Sequence, residues 1–516
     1  MRTSVTHPLL IDDLAVANGR LGLTFCPGKK GGSLFGDSWD RDLDTDLDAV
    51  REWRATVVVT LVEAAELSLL QVEGLWEGIQ RRGMDWLHLP ILDLEAPDAL
   101  WMALWEPVSR RLHAALEAGG RVLLHCRGGL GRAGTVAALL LIERGEDADQ
   151  AIARVRGVRR GAIETAAQRE FLKARAALPD RKAQLIRASL FGGAIGDALG
   201  AEIEFWSLGR IRTTFPEGLT QLPVAYGLRG AITDDTQMTL FTAEGLIRAQ
   251  VRGIAKGICH PPGVVHHALL RWYQTQGCKP KMADLCRTGL VEDPRLHKRR
   301  APGNTCLSAL SAGESFGQLA RNSSKGCGTI MRVAPVGLLG FQVRELALGA
   351  SALTHGHETG QEAAAAFACI LAEVLEGVPL ERAIRRALAV ATGETAAALD
   401  AALSSPRDGR PETVERLGGG WVAEEALAIA LYTALAAPDF EEGLRIAVTH
   451  SGDSDSTGAI AGNLLGLLYP EEVMQHPWRE QVECADLIDR IARDLARSRA
   501  PEAEFVEQMW ERYPGW

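Results

Sequence analysis

A chain of 516 residues exceeds what one ordinary hydrophobic core serves, so two or three domains are expected. Hydrophobic residues at 47% and charged residues at 24% are the proportions of ordinary globular protein. A net charge of −10 with no basic run argues against a nucleic-acid groove and against an anionic membrane surface. The opening stretch, MRTSVTHPLLIDDLAVANGR, lacks the charged-then-apolar order of a signal peptide. Charges or glycines interrupt every apolar run before it reaches membrane-spanning length. Nine cysteines without a spaced framework read as reduced thiols, and a cytoplasmic protein is expected. Cys278 and Cys286 lie near His266 and His267, but their spacing fits no usual zinc site.

Residues 20 to about 165 mix short β-branched runs with helical stretches. TVVVTLV (56–62), WLHLPI (86–91) and RVLLHC (121–126) are predicted strands. LLQVEGLWEGIQRRG (69–83) and WMALWEPVSRRLHAALEAGG (101–120) are predicted helices between them. The alternation predicts an α/β layer with a mostly parallel central sheet. ALPDRKAQL (177–185), with its Pro and alternating charges, is the candidate boundary. A first domain over 1–178, a linker over 179–185 and a second domain over 186–516 are expected. Beyond the boundary, Ala- and Leu-rich stretches such as 347–356, 357–377 and 424–437 predict a large all-α domain. SSPRDGRPET (404–413) reads as a mobile loop.

VLLHCRGGLGRAGTVAALLL (122–141) ends a strand on His125 and Cys126, then curls through Gly128, Gly129 and Gly131 to Arg132. Glycines let successive N–H groups point inward at an anion, and the following helix adds its N-terminal amides. Arg132 can grip two phosphate oxygens at once. The same positive setting favours a Cys126 thiolate, a strong nucleophile, with His125 helping to hold that state. HCRGGLGRAGT resembles the signature loop of the cysteine-dependent tyrosine and dual-specificity phosphatases. The flanking LGLTFCPGKKGG (21–32), HLPILDLEAPD (88–98) and GAIETAAQREFL (161–172) are similar to the kinase-associated phosphatase branch. The resemblance implies that Cys126 attacks phosphorus, Arg132 stabilises the transition state and Asp93 protonates the leaving oxygen. Asp98 is the rival acid, and Gln168 is either the family's water-positioning glutamine or a surface residue. Most relatives carry Ser or Thr after the signature arginine, whereas this chain has Ala133, with Thr135 as a candidate substitute. No cofactor is expected in this domain.

GAITDDTQMTL (230–240) groups Thr233, Asp234 and Asp235 at a predicted helix start. THSGDSDSTGAIAGN (449–463) does the same with Asp453, Asp455 and Ser456, and GGAIGDALGAEIEF (192–205) adds Asp197, Glu202 and Glu204. These hard oxygen ligands suit Mg²⁺ or Mn²⁺, and two aspartate pairs suggest two ions in one site. The three stretches, in this order, resemble the ADP-ribosylglycohydrolases, over about 186 to 515. The resemblance implies that Thr233, Asp234, Asp235, Asp453, Asp455 and Ser456 bind two Mg²⁺ (or Mn²⁺) and that Glu204 is the family's mobile glutamate. SKGCGTIMRVAPVGLL (324–339) matches the turn that holds ADP-ribose, with Gly326, Cys327, Gly328 and Thr329 in contact; many relatives have Asn in place of Cys327. THGHETG (354–360) matches another pocket-lining stretch, in which His355 either touches substrate or is structural.

The expected protein is a bifunctional hydrolase. One site would remove ADP-ribose from a modified protein or small molecule, and DSDST, with Ser after its second Asp, leans toward the arginine linkage. The other would hydrolyse a phosphomonoester through a phosphocysteine. Two alternatives stand beside it: an ADP-ribosyl hydrolase with a weakly active phosphate-binding accessory domain, and a non-enzymatic ADP-ribose reader.

Overall fold

A computed structural model describes residues 1–32, 38–144, 146–282, 287–501 and 504–515. It divides into two compact units, Met1–Pro179 and Asp180–Trp516. The boundary stretch 179–185 is helical, within the helix Ala166–Gly200. Among the described residues no helix is long and apolar enough to cross a membrane.

The first unit is built on a five-stranded sheet in the order Asp12–Val16, Gly19–Phe25, Arg121–Cys126, Val57–Thr60, Asp85–His88. The first two strands form an antiparallel hairpin, and the other three pairings are parallel. Val57, Val58, Val59 and Thr60 are all buried, as expected of a strand covered on both faces. The hairpin was not expected: its Asp, Asn and Gly residues dilute the β signal. The helix predicted over 69–83 is two, Ala64–Leu69 and Leu75–Arg81, broken where Gln71 takes a φ of +56°. Arg121–Cys126 is the central strand, and the helix Gly131–Ile142 that follows it is buried over its whole length. The loop between them lies at the carboxyl end of a parallel strand, where open α/β sheets bind ligands.

The second unit is helical. Its organising contact joins the Ala166–Gly200 and Ser454–Leu468 helices. A Cβ on Gly192, Gly196 or Gly200 would stand 2.2, 2.0 or 2.3 Å from the carbonyl oxygens of Gly462, Gly458 and Ser454. The two helices are therefore antiparallel and touch backbone to backbone. Four-residue spacing of glycine makes one bare stripe along a helix. The contact brings Asp197 and Glu204 beside the DSDST turn. The 404–413 loop is pinned rather than free: Tyr432 Oη donates to Asp408 Oδ1 (2.9 Å) and accepts from the Gly409 N–H (3.0 Å).

Candidate active sites

In the first unit, residues 127–130 form the turn between strand and helix. Gly129 has a φ of +71°, and a Cβ there would lie 2.3 Å from the Thr24 carbonyl oxygen, so only glycine fits. Its N–H donates to Cys126 Sγ at 3.2 Å. Arg159 takes the carbonyls of Gly128 and Gly129 from outside, which leaves the amides of the turn facing inward. Arg132 is buried. Its Nη1 and Nη2 donate to both oxygens of Glu66, and Nη1 also reaches the Ile91 carbonyl at 3.0 Å. Nη2 lies 3.0 Å from Asp93 Oδ1, while Nε is buried without a partner. Burial pushes Glu66 upward, but the Arg132 bonds win and hold it below its usual range. A guanidinium braced on one edge with an unsatisfied Nε is poised for an oxyanion.

Cys126, Gly129, Arg132 and Asp93 thus come together. Asp98 is spent as the N-cap of the Ala99–Glu117 helix, accepting from the Trp101 N–H at 2.7 Å, which leaves Asp93 as the acid candidate. Gly128 is exposed, and Gly131 packs against Glu164 and Gln168. Two expectations need correction. His125 faces the interior, with Nε2 2.7 Å from Thr60 Oγ1, and burial pushes it down to about 3, so it braces the strand as a neutral ring. Gln168 is fully buried: Oε1 accepts from the Glu164 N–H at 2.9 Å and Nε2 donates to the Glu95 carbonyl at 3.1 Å. It ties the Asp93 loop down rather than lying at the surface. The Thr135 hydroxyl donates to the Gly131 carbonyl at 2.8 Å and is not turned to replace the hydroxyl missing at Ala133.

In the second unit, Thr233 caps the Asp234–Lys256 helix and Asp453 caps the Ser454–Leu468 helix. Oxygens of Glu204, Asp453 and Asp455 lie within 4.8 Å of one another. Buried Asp197 accepts from the Thr233 and Thr236 N–H groups and from the Thr233 hydroxyl at 2.8 Å, fixing the helix start that presents Asp234 and Asp235. Asp234 Oδ2 accepts from the Gly303 N–H at 3.2 Å. The Ser456 N–H donates to Asp455 Oδ1 at 2.9 Å, and the Cys327 thiol donates to Asp453 Oδ2 at 3.0 Å. Asp235 Oδ1 is buried with no partner.

Burial, and then the charge of Asp455, push Glu204 up to about 9 and raise Asp234, Asp235 and Asp453. Buried carboxylates that repel one another, one with an orphaned oxygen, fit a hard divalent cation. Among the described residues Glu204, Asp453 and Asp455 are the group whose oxygens lie close enough together to hold one, with Thr233, Asp234, Asp235 and Ser456 as the expected further ligands.

The 326–328 turn is anchored by the Cys327 N–H donating to the Trp421 carbonyl at 3.1 Å. Here too the inward-facing residues need correction. Thr329 donates to the Gly360 carbonyl at 2.9 Å and is fully buried. His355 is buried beneath the turn, with Cε1 2.9 Å from where a Gly328 Cβ would be, and burial first, then Arg332, push it down to about 3. Both support Gly326 and Gly328 rather than meeting a ligand. His266 Nδ1 accepts from the Gly317 N–H at 2.9 Å, so it forms no site with Cys278; Cys286 lies outside the described residues. Sequence reasoning missed Glu66, Arg159 and the capping role of Asp197, which tertiary packing brings in.

Comparison with known proteins identifies both domains. Residues 177–504 match the model of the ADP-ribosylglycohydrolase family, and residues 40–172 match a model described as Swiss Army Knife protein, DSP-PTPase phosphatase domain. The chain is 25% identical over 368 residues to an ADP-ribosylarginine hydrolase of Pseudomonas putida, covering 67% of this chain and 87% of that one. It is 34% identical over 154 residues to cyclin-dependent kinase inhibitor 3 of Mus musculus, covering 30% and 69%. A solved structure titled ADP-ribosylglycohydrolase-related protein complex aligns with a TM-score of 0.46 at 26% identity, over 62% of this chain and 99% of that one. The chain belongs to the ADP-ribosylglycohydrolase family and carries a DSP-type phosphatase domain ahead of its glycohydrolase domain.

Proposed function

We propose that the chain is a bifunctional, cytoplasmic eraser of modifications, with its two chemistries in domains 1–178 and 186–516. The observation that carries the main activity is the convergence of Glu204, Asp453 and Asp455; burial and then the charge of Asp455 also raise Asp235, a residue with a buried, unpartnered oxygen. Two Mg²⁺ (or Mn²⁺) held there would grip ribose hydroxyls and polarise a water at the anomeric carbon. Asp197 keeps Thr233, Asp234 and Asp235 in place for that task, and Glu204 is the acid–base candidate. The DSDST serine and the relative named for ADP-ribosylarginine support an arginine-linked protein substrate. The test is ADP-ribose release from arginine-linked and serine-linked peptides, each with Mg²⁺ and with EDTA. Release from the arginine-linked peptide in Mg²⁺ alone is expected; release in EDTA, or from serine only, would refute the reading.

In the first unit, Cys126 Sγ attacks a phosphomonoester, Arg132 Nε and the inward amides of the turn take the equatorial oxygens, and Asp93 protonates the leaving oxygen. Water then cleaves the phosphocysteine. Ala133 favours a second reading in which that step is slow and the domain chiefly binds phosphate, because Ala133 carries no hydroxyl and that of Thr135 is given to the Gly131 carbonyl.

A further inference from the structure

Phe205 follows Glu204 in the chain, yet it is 71% exposed and holds a φ of +67°, a conformation that opposes any side chain but glycine. Its ring lies on that of Trp421, with centroids 5.1 Å apart and planes inclined by 21°. Trp421 is 41% exposed. Both rings are fastened to the acidic cluster. Trp421 is bonded through its carbonyl to the Cys327 N–H, and the neighbouring Gly419 carbonyl accepts from the Asp453 N–H at 2.8 Å. Tyr226 is half exposed with a φ of +51°, and its hydroxyl is raised by burial and by the charges of Asp455 and Glu204.

Strained backbone with an apolar ring turned to water does not stabilise a fold, and such strain gathers where ligands are met. The substrate's geometry says which part is met. The bond to be cut must reach the carboxylates, and beyond it lies a side chain still attached to a protein, which enters only from solvent. Exposed rings beside the carboxylates are placed to meet that side chain.

We propose that Phe205 and Trp421 form a stacking platform for the guanidinium of an ADP-ribosylated arginine, so that the platform selects the linkage. This rests on the arginine-linked reading above. A planar cation stacks on aromatic faces, whereas a serine side chain offers neither plane nor charge.

The test uses the full chain with Mg²⁺ and the variants Phe205→Ala, Trp421→Ala and Phe205→Tyr. Three quantities are read: kcat/KM on an arginine-linked ADP-ribosyl peptide, the Kd of free ADP-ribose, and inhibition by methylguanidine in the presence of ADP-ribose. For the alanine variants kcat/KM falls by about 3- to 30-fold. Their ADP-ribose Kd stays within about twofold and methylguanidine inhibition weakens by a similar factor. Phe205→Tyr keeps wild-type behaviour. An ADP-ribose Kd that rises in proportion to the loss would mean that the rings hold the product side and would overturn the proposal. Unchanged kcat/KM would overturn it as well. A wild-type chain inert on the arginine-linked peptide would instead bring down the arginine reading itself, and it is seen before any variant is compared.

Discussion

Gly196 sits where two helices carrying opposite halves of the acidic site touch. A Cβ there would stand 2.0 Å from the Gly458 carbonyl oxygen. Carbon and oxygen need about 3.3 Å, so Gly196→Ala forces the Ala166–Gly200 and Ser454–Leu468 helices apart by about 1.3 Å. Asp197 rides on the first helix and Glu204 on the turn beyond it, while Asp453 and Asp455 ride at the start of the second. Metal–oxygen distances tolerate only about 0.2 Å, so the cation site is lost before the fold is. Overpacking costs about 1–3 kcal/mol, a fall in Tm of roughly 1–4 °C for a unit of this size. A wild-type chain at a hundredfold excess of Mg²⁺ over its Kd gains about 2.7 kcal/mol. The variant should gain almost none. The assay is thermal unfolding of the full chain in Mg²⁺ and in EDTA, beside Gly209→Ala. Gly209 lies in the helix Leu208–Thr214 with open space around it, so alanine there is neutral or stabilises by up to about 1 kcal/mol. If Gly196→Ala melts like wild type and keeps its Mg²⁺ shift, the glycine stripe does not set the site.

Three further outcomes follow from the same geometry. Asp235→Asn, at the orphaned oxygen, should abolish the Mg²⁺-dependent rise in Tm while leaving the EDTA melt close to wild type; a retained rise would remove Asp235 from the ligand set. Glu66→Gln weakens the brace on Arg132 and should lower aryl-phosphate kcat/KM by roughly 10- to 100-fold, with a wild-type rate in steady-state assays as the contrary result. Ala133→Ser supplies the missing hydroxyl. Stopped-flow turnover of an aryl phosphate should show a burst in the wild type and a faster steady state in the variant, and a wild type without a burst would mean that hydrolysis of the phosphocysteine is not the slow step.

The parts of the fold that could be read from sequence were those whose signal is local. The runs at 57–60 and 121–126 are apolar and β-branched because their strands are covered on both faces. The 12–25 hairpin carries Asp12, Asp13, Asn18 and two glycines, and so looks like a loop. HCRGGLGR, TDDT and DSDST are legible because a turn and a helix start demand particular residues side by side. Glu66 and Asp197 act across the fold, 66 and 36 residues from Arg132 and Thr233, and no local pattern announces them. Direction is likewise hidden: His125, Gln168, Thr329 and His355 stand in the right stretches but turn inward, because each finds its partner in the interior. The glycines at 192, 196 and 200 facing 458 and 462 were readable in principle, since four-residue spacing of bare backbone signals a helix contact.

The most direct test of two separate chemistries in one chain measures both activities on the same three proteins: wild type, Asp455→Ala and Cys126→Ser. ADP-ribose release from an arginine-linked peptide in Mg²⁺ and turnover of an aryl phosphate are followed side by side. The account predicts that Asp455→Ala loses only the first activity and Cys126→Ser only the second. Release of ADP-ribose that survives Asp455→Ala, or that vanishes in Cys126→Ser, would contradict it.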